Sequence, residues 1–345
     1  MSFADFMETA LYDQQGGFFA TGGAAGRRGH FLTSPEVGPL FGAILARALD
    51  RWWAELGRPE PYVVVEAGAG TGTLAAGVRA ALPACAPALH YVMVERSEPL
   101  RGRQAAVVPL ARPSDPPHDA RPIFTSLAEL PGQPFAGIVV ANELLDNLPV
   151  HLLERRGGWD EVRVGELHGQ LVEVLVPAPP ALVADAELLA PDASAGARVP
   201  LQVAARSWLQ QALSLVERGR VVVIDYADTT ASLAARPAAE WLRTYRAHGR
   251  GGHPLEHPGA QDITCEVAVD QLARVRPPAV DRAQAEFLQA HGIEELTAAA
   301  RARWHERAHL GDLEALEARS RVGEAAALTD PAGLGAFRVL EWAVH

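Results

Sequence analysis

Three short constellations in the 345-residue sequence hold residue types that could do chemistry. The first lies in VVVEAGAGTGTLAAGVRAAL, where an apolar run ends in Glu66, glycines recur at Gly68, Gly70 and Gly72, and a helix-suited run follows. Glycine lets the backbone bend sharply and approach a ligand with no Cβ in the way, so Gly68, Ala69, Gly70 and Gly72 read as a cofactor-seating bend. Glu66 is placed to orient a cationic group beside it. The second is Glu95, which closes the next apolar run, YVMVE, ahead of Arg96. A carboxylate there can accept hydrogen bonds from both hydroxyls of a ribose. The third is ANELLDNLPV, which sets the Asn142 amide and the Glu143 and Asp146 carboxylates at the end of a further apolar run. Paired carboxylates can orient a cationic acceptor and take up its proton. The plainer alternatives are a tight turn beside a surface glutamate, and an Asn142 helix cap with Asp146 in solvent.

These residues need a scaffold, and the flanking pattern supplies one. YVVVEAG, YVMVERS, PIFTSL and AGIVVANELL read as strands, and LAAGVRAAL and EPLRGRQAAV as helices. Strand–helix alternation over 62–150 predicts a parallel, doubly wound sheet. The strand-end residues Ser126 and Leu127 join Arg96 and Asn142 in the expected cofactor set. Upstream, Val37, Leu40, Phe41, Ile44, Leu45, Ala48, Leu49 and Trp52 keep helical spacing, which predicts one amphipathic helix from Ser34 onward, with Thr33 and Glu36 as a capping box. Before it, the glycine-rich stretch 16–31 predicts a mobile loop. HLLERRGGWDEVRVGELHGQLVEVLVP alternates with period two and predicts a β-hairpin or meander, and the Ala/Pro/Asp-rich stretch 177–200 a linker. VAARSWLQQALSLVERG predicts a helix ending at Gly219, RVVVIDYAD a buried strand, and 262–276 and 334–344 the strands that complete the sheet. The expected organisation is an N-terminal helical segment and loop (1–60), a cofactor-binding core (61–150), an insertion with its linker (151–200), and the rest of the sheet with a helical, substrate-side insertion (201–345).

The glycine spacing selects among cofactors. A dinucleotide fold spaces its glycines GxGxxG, and the third would fall on Thr73. The observed ExGxGxG is the S-adenosylmethionine pattern of class I methyltransferases. That cofactor's methionine end carries an ammonium, a carboxylate and a sulfonium, which suits an acid beside the loop. No metal is expected: the 12 histidines are scattered without HExxH, and Cys85 and Cys265 lie far apart without CxxC spacing, as in a reducing cytoplasm. The net charge of −11 disfavours nucleic acid, and a guanidinium or amine acceptor would be attracted. All 31 basic residues are arginine, which fits a GC-rich bacterial genome. No membrane-length apolar run and no export or transit signal is visible, so a soluble cytoplasmic protein is expected.

Taken together, GHFLTSPEVGPLFGAILA, EAGAGTGTLA, YVMVERSEPLRGRQ, ANELLDNLPVH, VVVIDYAD, WLRTYRAHGRGGHPLEHPGAQDIT and LTDPAGLGAFRVL resemble the MidA-like methyltransferases, bacterial relatives of the mitochondrial complex I assembly-factor methyltransferase. The resemblance covers nearly the whole chain. It implies an α/β class I, Rossmann-like methyltransferase with a seven-stranded, mostly parallel sheet, an N-terminal helical segment and an inserted subdomain. It implies that Ser34, Pro35 and Glu36 lie near the cofactor, with helix N–H groups at Ser34 aimed at the cofactor carboxylate. It also implies that Asp225, Tyr226, Tyr245, Arg246, His248 and Asp262 line the acceptor pocket. The chain departs from the family pattern at His30 (usually GDF), at Ala227 (usually DYG) and at Phe18-Phe19 (usually GYY). Three functions follow as expectations: a protein arginine N-methyltransferase; a small-molecule O- or N-methyltransferase, with His151 or His248 as base for an oxygen acceptor; and a non-catalytic, cofactor-binding assembly chaperone. The Trp52-Trp53 pair and the β insertion could pack inward or form a homodimer contact.

Overall fold

A computed structural model describes residues 1–23, 33–111, 122–246 and 249–345. His30, His248 and the second half of the glycine-rich stretch, 24–31, lie outside the described residues. The four apolar runs form β1 (Tyr62–Ala67), β2 (Leu89–Val94), β3 (Ile123–Leu127) and β4 (Phe135–Asn142), joined in the main sheet by β5 (Val216–Asp225), β6 (Val280–Ala283) and β7 (Arg338–Val344). The order across the sheet is β6-β7-β5-β4-β1-β2-β3. Only β7 runs antiparallel to its neighbours. The strand order reverses between β1 and β4, and ligands of open α/β sheets bind outside the carboxyl ends of the strands at such a point.

Alternate strand residues pack to opposite faces. Val64, Tyr91, Ile138 and Val222 pack beneath α3 (Pro39–Glu55) and α4 (Thr73–Ala80). Val65, Val92, Val139 and Val221 pack beneath the helix Val203–Leu215. Burial on both faces is why these strands read as continuous apolar runs.

The single helix expected from Ser34 is two pieces. A short α2 (Ser34–Val37) precedes α3, with Gly38 extended between them. Pro39 disfavours helical backbone in the residue before it. A Cβ on Gly38 would lie 2.2 Å from the Glu324 carboxyl carbon, and Glu324 Oε2 accepts from the Leu40 N–H (3.0 Å), capping α3 from the far end of the chain. The Thr33–Glu36 capping box does not form: Thr33 makes no side-chain cap, and Glu36 accepts from Thr73 Oγ1 at the start of α4 (2.8 Å).

The period-two segment forms Gln170–Pro177, Trp159–Leu167 and His151–Arg155, continued by Arg198–Leu201 into a four-stranded antiparallel sheet. The stretch expected as a linker holds the helix Pro180–Leu189 and that fourth strand. The amino-terminal helix α1 (Phe3–Tyr12) is held by a Ser2/Asp5 capping box, and Phe3, Phe6 and Met7 pack in one core with Leu152 and Val162 of this sheet. Asp262–Cys265 does not join the main sheet; it pairs with Leu242–Arg246, and the edge position belongs to β6. The helix expected to reach Gly219 ends at Leu215, because β5 starts there and pairs with Phe135 of β4 across a bulge. Trp52 points into the core, and Trp53, half-buried, donates to the Pro59 carbonyl (3.0 Å). No helix among the described residues is long and apolar enough to cross a membrane.

Candidate active site

A cavity of about 500 Å³ opens at the switch point, walled by the turn after β1, the ends of β2 and β4, and α2. Gly68 (φ 73°) and Gly70 (φ 51°) take left-handed backbone that other residues rarely adopt, and a Cβ on Gly68 would press to 3.0 Å on Leu144. The Gly68 and Ala69 N–H groups donate to the Val94 carbonyl (2.9 and 3.0 Å), which ties the bend to β2. Glu95 locks it further, accepting from the Gly70 N–H (2.8 Å) and the Ser97 N–H (2.7 Å). From behind, Ser126 Oγ donates to Gln104 (2.6 Å), whose amide donates to the Gly70 carbonyl (3.0 Å).

Of the residues assigned to the cofactor from the sequence, Pro35, Glu36, Glu66, Gly68, Ala69, Gly70, Glu95, Arg96 and Asn142 line this cavity. Four members of the expected cofactor set are not on its wall. Ser126 supports the loop through Gln104. Leu127 offers only its carbonyl, which accepts from the Glu95 N–H (3.0 Å). Gly72 caps α4 behind the bend. Ser34 is fully buried, and its N–H points at Glu143 Oε1 (3.0 Å) rather than into the cavity. Neighbouring Arg96 pairs with Glu8 and lies over the Tyr12 ring, 4.6 Å from its centroid.

A second cavity, about 640 Å³, is lined by Asp146, Tyr226 and Tyr245, and it shares one residue with the first: Glu143. Glu143 sits at φ 49°, uncommon for a side-chain-bearing residue, held by its N–H donating to the Ile224 carbonyl (2.8 Å) and by Asn142 Nδ2 donating to Oε1 (3.2 Å). Tyr226 OH donates to Asp146 Oδ2 (2.7 Å). Asp225 lines neither cavity. It accepts from the N–H groups of Leu145 (3.1 Å), Asp146 (3.3 Å) and Tyr226 (3.0 Å), fixing the turn that presents Asp146. Asp262 likewise holds that turn, accepting from Asn147 Nδ2 (2.8 Å). Arg246 is exposed and lines neither cavity. His151 is 2.9 Å from Glu161 in the inserted sheet and also lines neither.

The family model described as "Putative S-adenosyl-L-methionine-dependent methyltransferase" matches residues 44–292, well over half of the chain. The chain belongs to this methyltransferase family. A Burkholderia thailandensis protein crystallised with S-adenosyl-homocysteine shares 30% identity with this methyltransferase and superposes with a TM-score of 0.83 over 99% of this chain and 87% of that one. A Drosophila melanogaster relative, "Protein arginine methyltransferase NDUFAF7 homolog, mitochondrial", is 33% identical over 47% of this chain and 40% of its own length. The Bos taurus "Protein arginine methyltransferase NDUFAF7, mitochondrial" is 28% identical over 79% of this chain and 64% of its own. The chain therefore spans less than two thirds of the length of these two named relatives.

The electrostatics of the first cavity suit the cofactor named in the family's description. Glu66 is 4% exposed, with Tyr91 OH as its hydrogen-bond donor (2.8 Å), and desolvation pushes its carboxyl up to about 8. A cationic ammonium beside it offsets that cost. Asn142 Oδ1 is buried with no hydrogen-bond partner among the described residues, an acceptor that could take a donor from a ligand. Desolvation also raises Glu143 to about 8 and Asp146 to about 6, the latter against the pull of the Tyr226 hydrogen bond, and it raises Asp225 well above the usual carboxylate range. Asp146 Oδ1 is likewise buried and has no partner among the described residues. Among the described residues no group of three His, Cys, Asp or Glu could hold a metal ion. Tyr12, Phe19, Glu129, Trp208 and Gln211 also line the first cavity and are among the residues that sequence reasoning missed. Trp208 and Gln211 are one helical turn apart, the only local hint that they share a face.

Proposed function

We propose that this methyltransferase transfers the methyl group of S-adenosylmethionine to a guanidinium nitrogen, that of a protein arginine. The observation that carries the reading is Glu143, which borders both cavities, beside a buried Asp146 carboxylate with one oxygen that has no partner among the described residues. The names of the Drosophila and bovine relatives support the same acceptor. Glu66, the Gly68–Gly70 bend, Glu95 and Asn142 would hold the cofactor, which supplies an electrophilic methyl carbon when bound. Asp146 and Glu143 accept N–H bonds from the guanidinium and localise its charge, leaving one nitrogen with a more available lone pair. With the cofactor bound, that lone pair would take the methyl carbon in line as the sulfonium's C–S bond breaks and neutral S-adenosyl-homocysteine leaves, and the proton shed by the nitrogen would pass to one of the two carboxylates. The contact of His151 with Glu161 in the inserted sheet (2.9 Å) argues against His151 as base for an oxygen acceptor. We further propose a reducing compartment, the cytoplasm of a bacterium, supported by two buried, free thiols, Cys85 and Cys265, and by a basic set that is entirely arginine.

The test is incubation with methyl-labelled cofactor and cell lysate, followed by acid hydrolysis of the protein fraction. Methylarginine is expected. Label confined to small molecules overturns the acceptor, and no transfer at all favours the chaperone reading. Asp146→Asn is expected to lower transfer by about a hundredfold or more while S-adenosyl-homocysteine affinity by calorimetry stays within about threefold. Equal loss of both would move Asp146 into the cofactor site.

A further inference from the structure

The second cavity is polarised. Its buried end carries Glu143 and Asp146, and the same wall brings Arg236, Arg243 and Arg250 together. Two of these cations are already compensated. Arg236 donates to Asp228 (3.3 Å) and Glu266 (3.1 Å). Arg243 reaches Glu266 at 3.8 Å and lies over Tyr226, 5.5 Å from the ring centroid. Arg250 differs. It is exposed, sits opposite Tyr245 in the strand pair, donates to the Ala239 carbonyl (3.2 Å), and has no carboxylate partner among the described residues. Among the described residues of this wall, Glu266 is the one carboxylate outside the Glu143–Asp146 end, against three guanidiniums.

An acceptor that binds only through its guanidinium has no use for this arrangement: cations near the entrance repel it, at a site whose inner carboxylates attract it. The chain as a whole carries −11, so an anionic partner is repelled unless a local cation compensates. Both facts are accommodated by a dipolar acceptor. Resting on the arginine reading above, we infer that Arg250, backed by Arg243, selects arginines that have an aspartate or glutamate close by in the acceptor chain. The guanidinium enters toward Asp146 and Glu143, and the neighbouring carboxylate docks on the Arg250 fork. Arginine suits this role because its planar donors match a carboxylate two-point.

The experiment compares synthetic arginine peptides that differ only in carrying Glu, Gln or Lys at each position flanking the arginine. Methyl transfer is read as kcat/KM, and binding to the protein loaded with S-adenosyl-homocysteine is read by calorimetry. A Glu peptide is expected to exceed its Gln counterpart by about tenfold, ~1.4 kcal/mol, with the gap closing as salt rises. Arg250→Gln is expected to erase the gap by raising KM for the Glu peptide, and Arg250→Glu to turn the preference toward Lys. Peptides methylated equally well by the wild type, or a preference that survives Arg250→Gln, overturn the inference and leave the arginine reading standing. Glu peptides that bind in an Arg250-dependent way without being methylated sustain the anion site and overturn the arginine reading instead. A failure of binding to discriminate, with no turnover, overturns both.

Discussion

At the scale of single residues, Glu143 carries an unusual combination: left-handed backbone, a desolvated carboxyl, and a place on both cavity walls. Strain of this kind costs on the order of 1 kcal/mol and persists only where surrounding bonds over-determine it, here the Ile224 carbonyl, the Ser34 N–H and the Asn142 amide. Its titration gives a signed prediction. The folded-state value near 8 lies above the ordinary 4.5, so between those pH values the native state holds a proton that the unfolded chain releases. Stability therefore falls as pH rises through that window. Glu143→Gln removes this loss, and its melting temperature is expected to exceed that of the wild type by roughly 1–3 °C at pH 8.5 and to match it near pH 4.5. Methyl transfer by the wild type is expected to rise with pH between about 6 and 8 as Asp146 and then Glu143 lose their protons. A flat rate profile, or a variant that melts lower at pH 8.5, contradicts the assignment.

At the scale of elements, the junction of α2 and α3 decides whether Ser34 reaches Glu143, and one distant residue holds it. Glu324 accepts from the Leu40 N–H in the space left by Gly38. Glu324→Ala leaves that buried N–H unpaired and is expected to cost about 1–3 kcal/mol in denaturant unfolding, with weaker S-adenosyl-homocysteine binding because α2 walls the cavity. Unchanged binding in a destabilised variant would separate the cap from the site. The same junction shows what the sequence reveals and what it hides. The strands β1, β2 and β4 and the bend at Gly68–Gly72 were legible because their signals are local: apolar runs buried on both faces, and glycines where a left-handed turn is required. The break at Gly38 was not, because helical spacing continues across it from Val37 to Leu40 and Phe41, while its cause, Glu324, is remote in sequence. The edge strand β6 escaped for another reason. Val280–Ala283 is polar and half-exposed, so it carries no apolar run. Residues such as Tyr12, Phe19 and Trp208 become site residues only when helices fold onto the sheet.

At the scale of the molecule, the first cavity is not the property of one segment. Its walls come from Tyr12 and Phe19 at the amino-terminal end, from α2, from the tips of β1, β2 and β4, and from Trp208 and Gln211 on the helix Val203–Leu215. The amino-terminal wall is anchored elsewhere: α1 shares a core with the inserted sheet, and Tyr12 OH donates to the Asn147 carbonyl (3.2 Å) in the turn that presents Asp146. A ligand filling this cavity contacts all of these at once, so its binding energy is distributed over parts that have few local contacts with one another. Linkage gives about 2.7 kcal/mol of stabilisation at a hundredfold excess over Kd. With S-adenosyl-homocysteine the unfolding transition is expected to shift upward as a single step. Amide exchange is expected to slow not only across 62–100 but also in α1 and in Val203–Leu215, which contribute Tyr12, Trp208 and Gln211 to the same cavity. Protection confined to 62–100 would mean that those outer helices border the cavity without closing on its ligand, and that the acceptor side is organised independently of cofactor binding.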